Sequence, residues 1–284
     1  MSWNGAQLHR SNDGGSSYQP ILSTTSGATI GTAAGALGDF TGGNVFDYTN
    51  SVSVVLQSGG PLLSYTQLQV LNGAGAYAIG AAGRWEIIQA KTATLTAANT
   101  YTLSGLLRGR RGTEWAQGLH MIGDKCVLLE PVSLKRPNPG TSQIGLARLY
   151  KAVTFRDSLA GTTAQAFTNN AVGLKPYAPV HLSGTRDGSN NLTIDWFRRT
   201  RKGGEWRDFV DVAIGEESLL FDVEVWDSTY ATLLRTISGV TTTTASYTAA
   251  EQTADGLTPG NTVYLRVYQI SAVVGRGYKL QGSV

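Results

Sequence analysis

The chain has 284 residues, of which 41% are hydrophobic and 15% charged, and its formal net charge is +3. This length predicts two domains or three small ones, and so small a charge gives no reason to expect nucleic acid as a partner. The 35 glycines and the low charge favour short strands joined by tight turns and exclude a coiled coil.

The first part of the chain, residues 1–130, is rich in Gly, Ala and Thr and predicts a β domain. Short apolar alternations typical of strands occur at 51–56, 68–71, 84–90 and 125–130. Turn-forming Gly, Asn, Asp and Pro residues separate them, at a spacing of about 10 to 15 residues per strand. This spacing favours a sandwich or a barrel over an α/β layer fold.

The next segment, 131–175, is more irregular and is predicted to connect two domains. It contains one alternating stretch, 146–155, that predicts a strand. Pro176 and Pro179 then hold the chain extended and mark the entry to a new domain.

The last part, residues 176–284, predicts a β-sandwich. Apolar and polar residues alternate at 192–196, 221–227 and 263–268, and the glycines at 275–277 predict the final hairpin turn. The acids between the apolar positions of 221–227 are expected to face solvent. About seven such segments in roughly 105 residues match the size of an immunoglobulin-like sandwich, so the whole chain is predicted to be all-β.

Three arginines crowd into four residues after an apolar strand, and a tryptophan follows them. The candidate interface residues of this cluster are Arg108, Arg110, Arg111 and Trp115. Guanidinium groups pair with carboxylates and phosphates, so the cluster could contact an acidic groove on a partner, lipopolysaccharide phosphate or nucleic acid. The alternative is a turn whose arginines are solvated or bridge local acids such as Glu114.

A second basic run follows the strand at 192–196. Its candidate interface residues are Arg198, Arg199, Arg201 and Trp206. Exposed Trp and Arg on a loop are typical of interface hot spots. The alternative is a solvated hairpin tip with Trp206 folded over the edge of the sandwich.

The sequence predicts no catalytic, metal or cofactor site. Cys126 is the single cysteine and is expected to be a small buried apolar residue, and the three histidines are far apart. No Gly-x-Ser-x-Gly elbow frames a serine. The glycines at 73–80 imitate a dinucleotide-binding turn, but a strand rather than a helix is predicted after them. No apolar stretch is long enough for membrane insertion.

Three segments in the last part, 179–182, 191–196 and 257–267, resemble a fibronectin type III module. The resemblance implies a fibronectin type III-like β-sandwich. That family usually has a tyrosine four residues after the proline, where it makes a corner hydrogen bond. Here Val263 takes that position and Tyr264 follows it, so the corner is expected to be absent or rearranged.

A longer resemblance covers nearly the whole chain. In their order, five blocks resemble the C-terminal region of the tail-tip proteins of siphophages and gene transfer agents: 8–18, 101–114, 172–180, 196–208 and 275–277. In those proteins the region follows a hub part, whereas this chain begins with its own Met1. We therefore expect either a tail-tip protein divided between genes or a diverged module with its own role.

This resemblance implies a structural, non-enzymatic virion protein of the tail tip or baseplate. The expected partners are other phage tail proteins (hub, tail tube and fibres), with a three-fold homo-oligomer or three copies per tail. We expect synthesis in the bacterial host cytoplasm, no nucleic-acid partner and no membrane insertion. The alternative is a receptor-binding protein for a host-surface glycan or pilus, and a glycan-active enzyme is a weaker third hypothesis.

Overall fold

A computed structural model describes residues 3–138, 140–204 and 210–284. The chain forms two compact units, Met1–Asn170 and Ala171–Val284. Strands account for 43% and helices for 7% of the structure, which confirms the prediction of an all-β chain. None of the described helices has the length and apolar character needed to cross a membrane.

In the first unit, eleven strands and a short helix are described. They are β1 (Ala6–Ser11), β2 (Gln19–Thr24), β3 (Ile30–Ala33), β4 (Phe46–Asp47), β5 (Val52–Ser58), α1 (Gln67–Leu71), β6 (Ala76–Gly80), β7 (Glu86–Ala97), β8 (Thr100–Arg110), β9 (Lys125–Leu128), β10 (Ala147–Thr154) and β11 (Gln165–Thr168).

Seven of these strands form an antiparallel sheet that closes on itself. Its order is β4-β8-β5-β3-β9-β6-β7, and β7 also pairs with β8. Alternate side chains point inward and form one core, in which Val54, Ile79, Ile88 and Leu103 are fully buried. Cys126 belongs to this core, as predicted, and burial raises the pKa of its thiol to about 12.

The other four strands form a second sheet in the order β11-β10-β1-β2. The segment 131–175, predicted to connect two domains, thus supplies two strands to the first unit. β10 pairs with β1 from Ala6 opposite Thr154 to Ser11 opposite Leu149. Local alternation identified the strand in this segment but could not identify a partner more than 130 residues away in the chain.

The strand predicted at 68–71 is wrong, because these residues belong to helix α1. The Thr66 side chain accepts a hydrogen bond from the Gln69 backbone N–H, and the Gln69 side chain accepts one from the Thr66 N–H. This reciprocal capping box initiates the helix. Val70 is buried, while Leu68 and Leu71 face outward.

The second unit contains seven strands and one helix: β12 (Val180–Arg186), β13 (Leu192–Phe197), β14 (Phe221–Trp226), β15 (Leu233–Val240), β16 (Thr244–Tyr247), α2 (Ala249–Ala254), β17 (Tyr264–Ser271) and β18 (Gly275–Ser283). A three-stranded sheet, β12-β13-β16, and a four-stranded sheet, β15-β14-β17-β18, form a fibronectin type III-like sandwich. Trp196 lies in the shared core, edge-on to Phe221 at 5.3 Å between ring centroids.

Two details of the second unit differ from the sequence-based predictions. The last turn lies at 272–274, so that Gly275 already pairs with Ser271. Glu224, expected to be solvated, is buried and accepts hydrogen bonds from Arg276 and Trp226. Burying a carboxylate is tolerated because the arginine compensates its charge.

At the position where fibronectin type III modules usually have the corner tyrosine, Val263 is buried in the core. The ring of Tyr264 instead packs edge-on against Tyr230, with 5.8 Å between their centroids. The hydroxyl of Tyr230 donates to the Gly282 carbonyl at 2.7 Å. An aromatic pair therefore occupies this corner.

Candidate functional site

Arg108 lies in the interior of the first unit and not on its surface. Its Nε and Nη2 donate to the two carboxylate oxygens of Glu86 at 2.8 and 2.9 Å. Its Nη1 donates to Asp47 Oδ2 at 3.1 Å and to the Gly38 carbonyl at 2.9 Å. The Arg108 side chain is fully buried, which leaves it no exposed atoms with which to contact a partner.

The charged contacts continue beyond Glu86. His120 Nε2 lies 2.7 Å from Glu86 Oε2, and His120 Nδ1 lies 3.4 Å from Asp124 Oδ2. Arg84 closes the series with a two-point contact to Asp124. We call these six side chains the ion network: Asp47, Arg84, Glu86, Arg108, His120 and Asp124.

The carboxylates of the ion network are held in their charged form. Burial alone would raise the pKa of Glu86, but hydrogen bonds from His120 and Arg108 outweigh it and bring the pKa below its usual value. Burial opposes ionisation of Asp47 and Asp124 as well. Hydrogen bonds from Asn50 and Arg108 lower the pKa of Asp47, and those from Arg84 and the Met121 backbone lower the pKa of Asp124.

The local structure requires a glycine at position 109, between two arginines. Its backbone N–H donates to Glu86 Oε1 at 2.7 Å, and its φ is +57°. A Cβ at this position would lie 2.6 Å from Glu114 Cγ, so only glycine fits without displacing a neighbour. The ion network therefore depends on the backbone of β8 as well as on its side chains.

The ion network supports an exposed turn that we call the loop 118–124. Arg84 Nη1 donates to the Leu119 carbonyl at 2.7 Å, and Asp124 Oδ2 accepts from the Met121 N–H at 3.0 Å. Gly123 also donates its N–H to the Ala33 carbonyl at 2.8 Å. The bonds of Leu119 and Gly123 tie the loop to the rest of the first unit at two points, and the bond between Met121 and Asp124 closes the loop on itself.

The loop 118–124 turns one side chain inward and three apolar side chains outward. His120 is buried in the ion network, whereas Leu119, Met121 and Ile122 are 46%, 60% and 73% exposed. Sequence reasoning missed this loop. The only signal available was a histidine among apolar residues between Gly118 and Gly123, which does not say which side chains point outward.

The other candidates of the first cluster lie nearer the surface. Arg110 is partly buried and donates to Gln89 Oε1 and Asn44 Oδ1, both at 2.9 Å. Arg111 is exposed, in a turn with a φ of +55°. Trp115 is half-buried in the 3₁₀ turn Glu114–Ala116. An interface role for these three residues remains a prediction.

In the second unit, two arginines of the second run pair with local acids. Arg198 contacts Asp211 at 2.6 Å, and Arg201 makes a two-point contact with Glu216 at 2.7 and 3.1 Å. The Arg198 and Arg201 side chains are only 12% and 9% exposed. These two arginines are therefore engaged with acids of their own unit, and an interface role for the run stays a prediction.

The third arginine of the run, Arg199, is also engaged within its unit. Its Nε donates to the Ala178 carbonyl at 2.8 Å, and its guanidinium lies 5.4 Å from the ring centroid of Tyr177. Trp206 lies outside the described residues.

The chemistry of the ion network suits support rather than reaction. Each of its carboxylates faces an arginine or His120, so none is free to take a proton from a substrate. No group of three or more His, Cys, Asp or Glu side chains that could hold a metal ion occurs among residues 3–138, 140–204 and 210–284. What the network does provide is a rigid base for the exposed loop 118–124.

Comparison with known proteins finds a family model that matches part of the first unit. Residues 28–127 match the model of a family described as Rcc01698-like, C-terminal, which is associated with gene transfer agents. The match spans 100 of the 284 residues and contains the whole ion network and the loop 118–124. A search of curated proteins finds no match.

Several solved structures share weak similarity with the chain. The FN5 domain of Drosophila Lar is 14% identical, with a TM-score of 0.25, and the match covers 38% of this chain and 94% of that one. The FN1–FN3 domains of chicken CNTN1 are 12% identical, with a TM-score of 0.27 and coverage of 94% and 72%. Domains A168–A170 of titin are 11% identical, with a TM-score of 0.28 and coverage of 98% and 74%. These scores are low, and it is the strand order of the second unit that makes it fibronectin type III-like.

Proposed function

We propose that the chain is a structural protein at the tail tip or baseplate of a tailed phage or phage-like particle, and that it holds neighbouring tail proteins together through surfaces of its β domains. The observation that carries this proposal is the loop 118–124. Three apolar side chains project from a backbone that buried charges hold in place. A surface that is rigid before binding loses little conformational entropy when a partner docks.

The location of this loop within the family match supports the proposal. The match to a family associated with gene transfer agents, at 28–127, includes the loop and the arginines beneath it. The resemblance to tail-tip proteins includes the block 101–114, which supplies Arg108 and Gly109. The residues that carry both likenesses therefore build the support of the proposed contact surface.

The shape of the loop suits a protein partner. Adjacent exposed Leu, Met and Ile side chains form a small apolar patch of the kind that marks interaction sites. Met adapts to irregular surfaces, and branched Leu and Ile fill pockets. The proposed neighbours are the hub, the tail tube and the fibres, in a three-fold assembly or as three copies around the tail axis.

The first test separates a scaffold from a receptor-binding protein. The chain is co-expressed with the tail-hub protein of the same genome for a pull-down, and the chain alone is labelled and incubated with host cells. Capture of the hub without labelling of the cells supports the proposal. Labelling of the cells without capture of the hub overturns it in favour of a receptor-binding protein for a host-surface glycan or pilus.

A further inference from the structure

A groove with a different character lies on the four-stranded sheet of the first unit. It has a volume of about 350 Å³, and its lining includes Leu8, Arg10, Ile21, Tyr150, Gln165 and Phe167. This volume lies within the range of small-ligand sites, about 300–1,000 Å³. Strands β1, β2, β10 and β11 all contribute to it, so the groove is a feature of the folded sheet.

Pairing of the strands sets the polar groups of the groove in one row. Arg10 in β1 lies opposite Tyr150 in β10, and Tyr150 lies opposite Gln165 in β11. Paired residues of an antiparallel sheet project from the same face, so the guanidinium, phenol and amide groups face the same space. Phe167, which is 59% exposed, packs edge-on to Tyr150 with 6.1 Å between the ring centroids.

Among the described residues that line the groove, Arg10 is the only charged one, and it has no charged partner among them. No hydrogen bond or ion pair joins its side chain to another described residue, and its Nε is buried without a hydrogen-bond partner. Arginine at such a site pairs with a carboxylate through two parallel hydrogen bonds. The groove therefore combines an anion-binding group with flat apolar walls and a neutral amide.

We propose that this groove binds a carboxylated sugar, such as a hexuronic acid residue of a surface polysaccharide. The apolar C–H face of the pyranose ring packs on Phe167 and Tyr150. The carboxylate pairs with Arg10, and hydroxyl groups at the rim of the ring bond to Gln165 and to the phenol of Tyr150.

The size of the groove favours a sugar over a protein surface. A stable protein interface uses about 20–30 residues on each side, whereas one small groove on one sheet face carries the features described above. Mixed hydroxyl-binding groups beside flat rings suit a polyhydroxylated ring better than an aliphatic side chain. This site does not depend on the loop 118–124, so it can exist whether or not the chain holds other tail proteins.

The test uses two probes that differ only in the group that Arg10 recognises. Methyl β-glucuronide carries a carboxylate where methyl β-glucoside carries a hydroxymethyl group. Saturation-transfer NMR and calorimetric titration on the full chain measure the binding of both glycosides. We expect the glucuronide to bind at least tenfold more tightly than the glucoside.

Three variants assign the binding to the groove. Arg10→Met should reduce glucuronide affinity to that of the glucoside, and Arg10→Lys, which keeps the charge but loses the fork, should retain part of the preference. Phe167→Ala should weaken the binding of both sugars. Phe197→Ala is the matched control, because it removes an aromatic ring that is 65% exposed in the second unit. It should leave the affinity for both sugars unchanged.

Two outcomes would overturn the proposal. One is equal affinity of the unaltered chain for the two sugars, or no binding of either at millimolar concentration. The other is tighter binding of a short peptide with an acidic residue next to Phe than of the glucuronide, which would assign the groove to a protein partner.

Discussion

Replacing Arg108 by Met should destabilise the first unit strongly. Met fills part of the same space but removes all four hydrogen bonds of the guanidinium, two to Glu86, one to Asp47 and one to the Gly38 carbonyl. Glu86 keeps its bonds to Gly109 and His120 but becomes a buried carboxylate without an arginine. Removing one partner of a buried ion pair costs about 3–5 kcal/mol of unfolding free energy. For a unit of this size that corresponds to a fall in Tm of roughly 6–20 °C.

Arg111→Met is the matched control, because it makes the same exchange three residues away at an exposed position. It should change stability by no more than about 0.5 kcal/mol. Because the chain has two units, calorimetry should be combined with hydrogen exchange, which assigns the weakened transition to β7 and β8. If Arg108→Met and Arg111→Met destabilise the first unit equally, or if both cost less than about 1 kcal/mol, the support attributed to the ion network is refuted.

Four further predictions follow from individual residues. The pKa of Glu86 is lower in the folded than in the unfolded state, so its contribution to the free energy of unfolding is present above the unfolded pKa of about 4.3 and is lost as pH falls through the folded pKa. Urea unfolding measured between pH 7 and pH 3 should show this loss of stability. A free energy of unfolding that does not change with pH would contradict it. Gly109→Ala should cost about 2–4 kcal/mol in thermal unfolding because of its positive φ and the contact with Glu114. Thr66→Ala should cost about 1 kcal/mol and speed hydrogen exchange in α1; unchanged exchange would argue against the capping box. Cys126, with a pKa of about 12, should resist iodoacetamide at pH 8 in the folded protein and react in urea, as read by mass spectrometry.

Much of the β structure was predictable because alternation is a local property. The stretches 51–56, 192–196 and 221–227 coincide closely with observed strands. The structure of residues 68–71 was not predictable in this way, since four alternating residues are too few to distinguish a strand from one helical turn. The deciding signal was the capping box of Thr66 and Gln69, a pattern of residue types and not of hydrophobicity.

The candidate site was less predictable because its charges pair across the fold. Arg108 lies in a run of five consecutive buried residues, 105–109, where regular alternation fails, and the pairing of β7 with β8 shifts register between Ile87 and Gln89. Its partner Glu86 is 22 residues away in the chain. A short basic motif shows neither the burial of Arg108 nor the identity of this partner. Sequence reasoning identified the right motif but left open whether its arginines contact a partner, are solvated or bridge local acids, and it overlooked the loop 118–124.

The affinity of the hub protein for a loop variant tests most directly whether the loop 118–124 is a protein contact surface. Leu119→Gln, Met121→Gln and Ile122→Gln are combined in one variant, and Leu68→Gln with Leu71→Gln on α1, 68% and 56% exposed, form the control. Loss of a contact hot spot should weaken hub binding by roughly 30-fold or more, whereas the control should bind as the unaltered chain does. Equal hub affinity for the loop variant and the control, with both folded, would contradict the account.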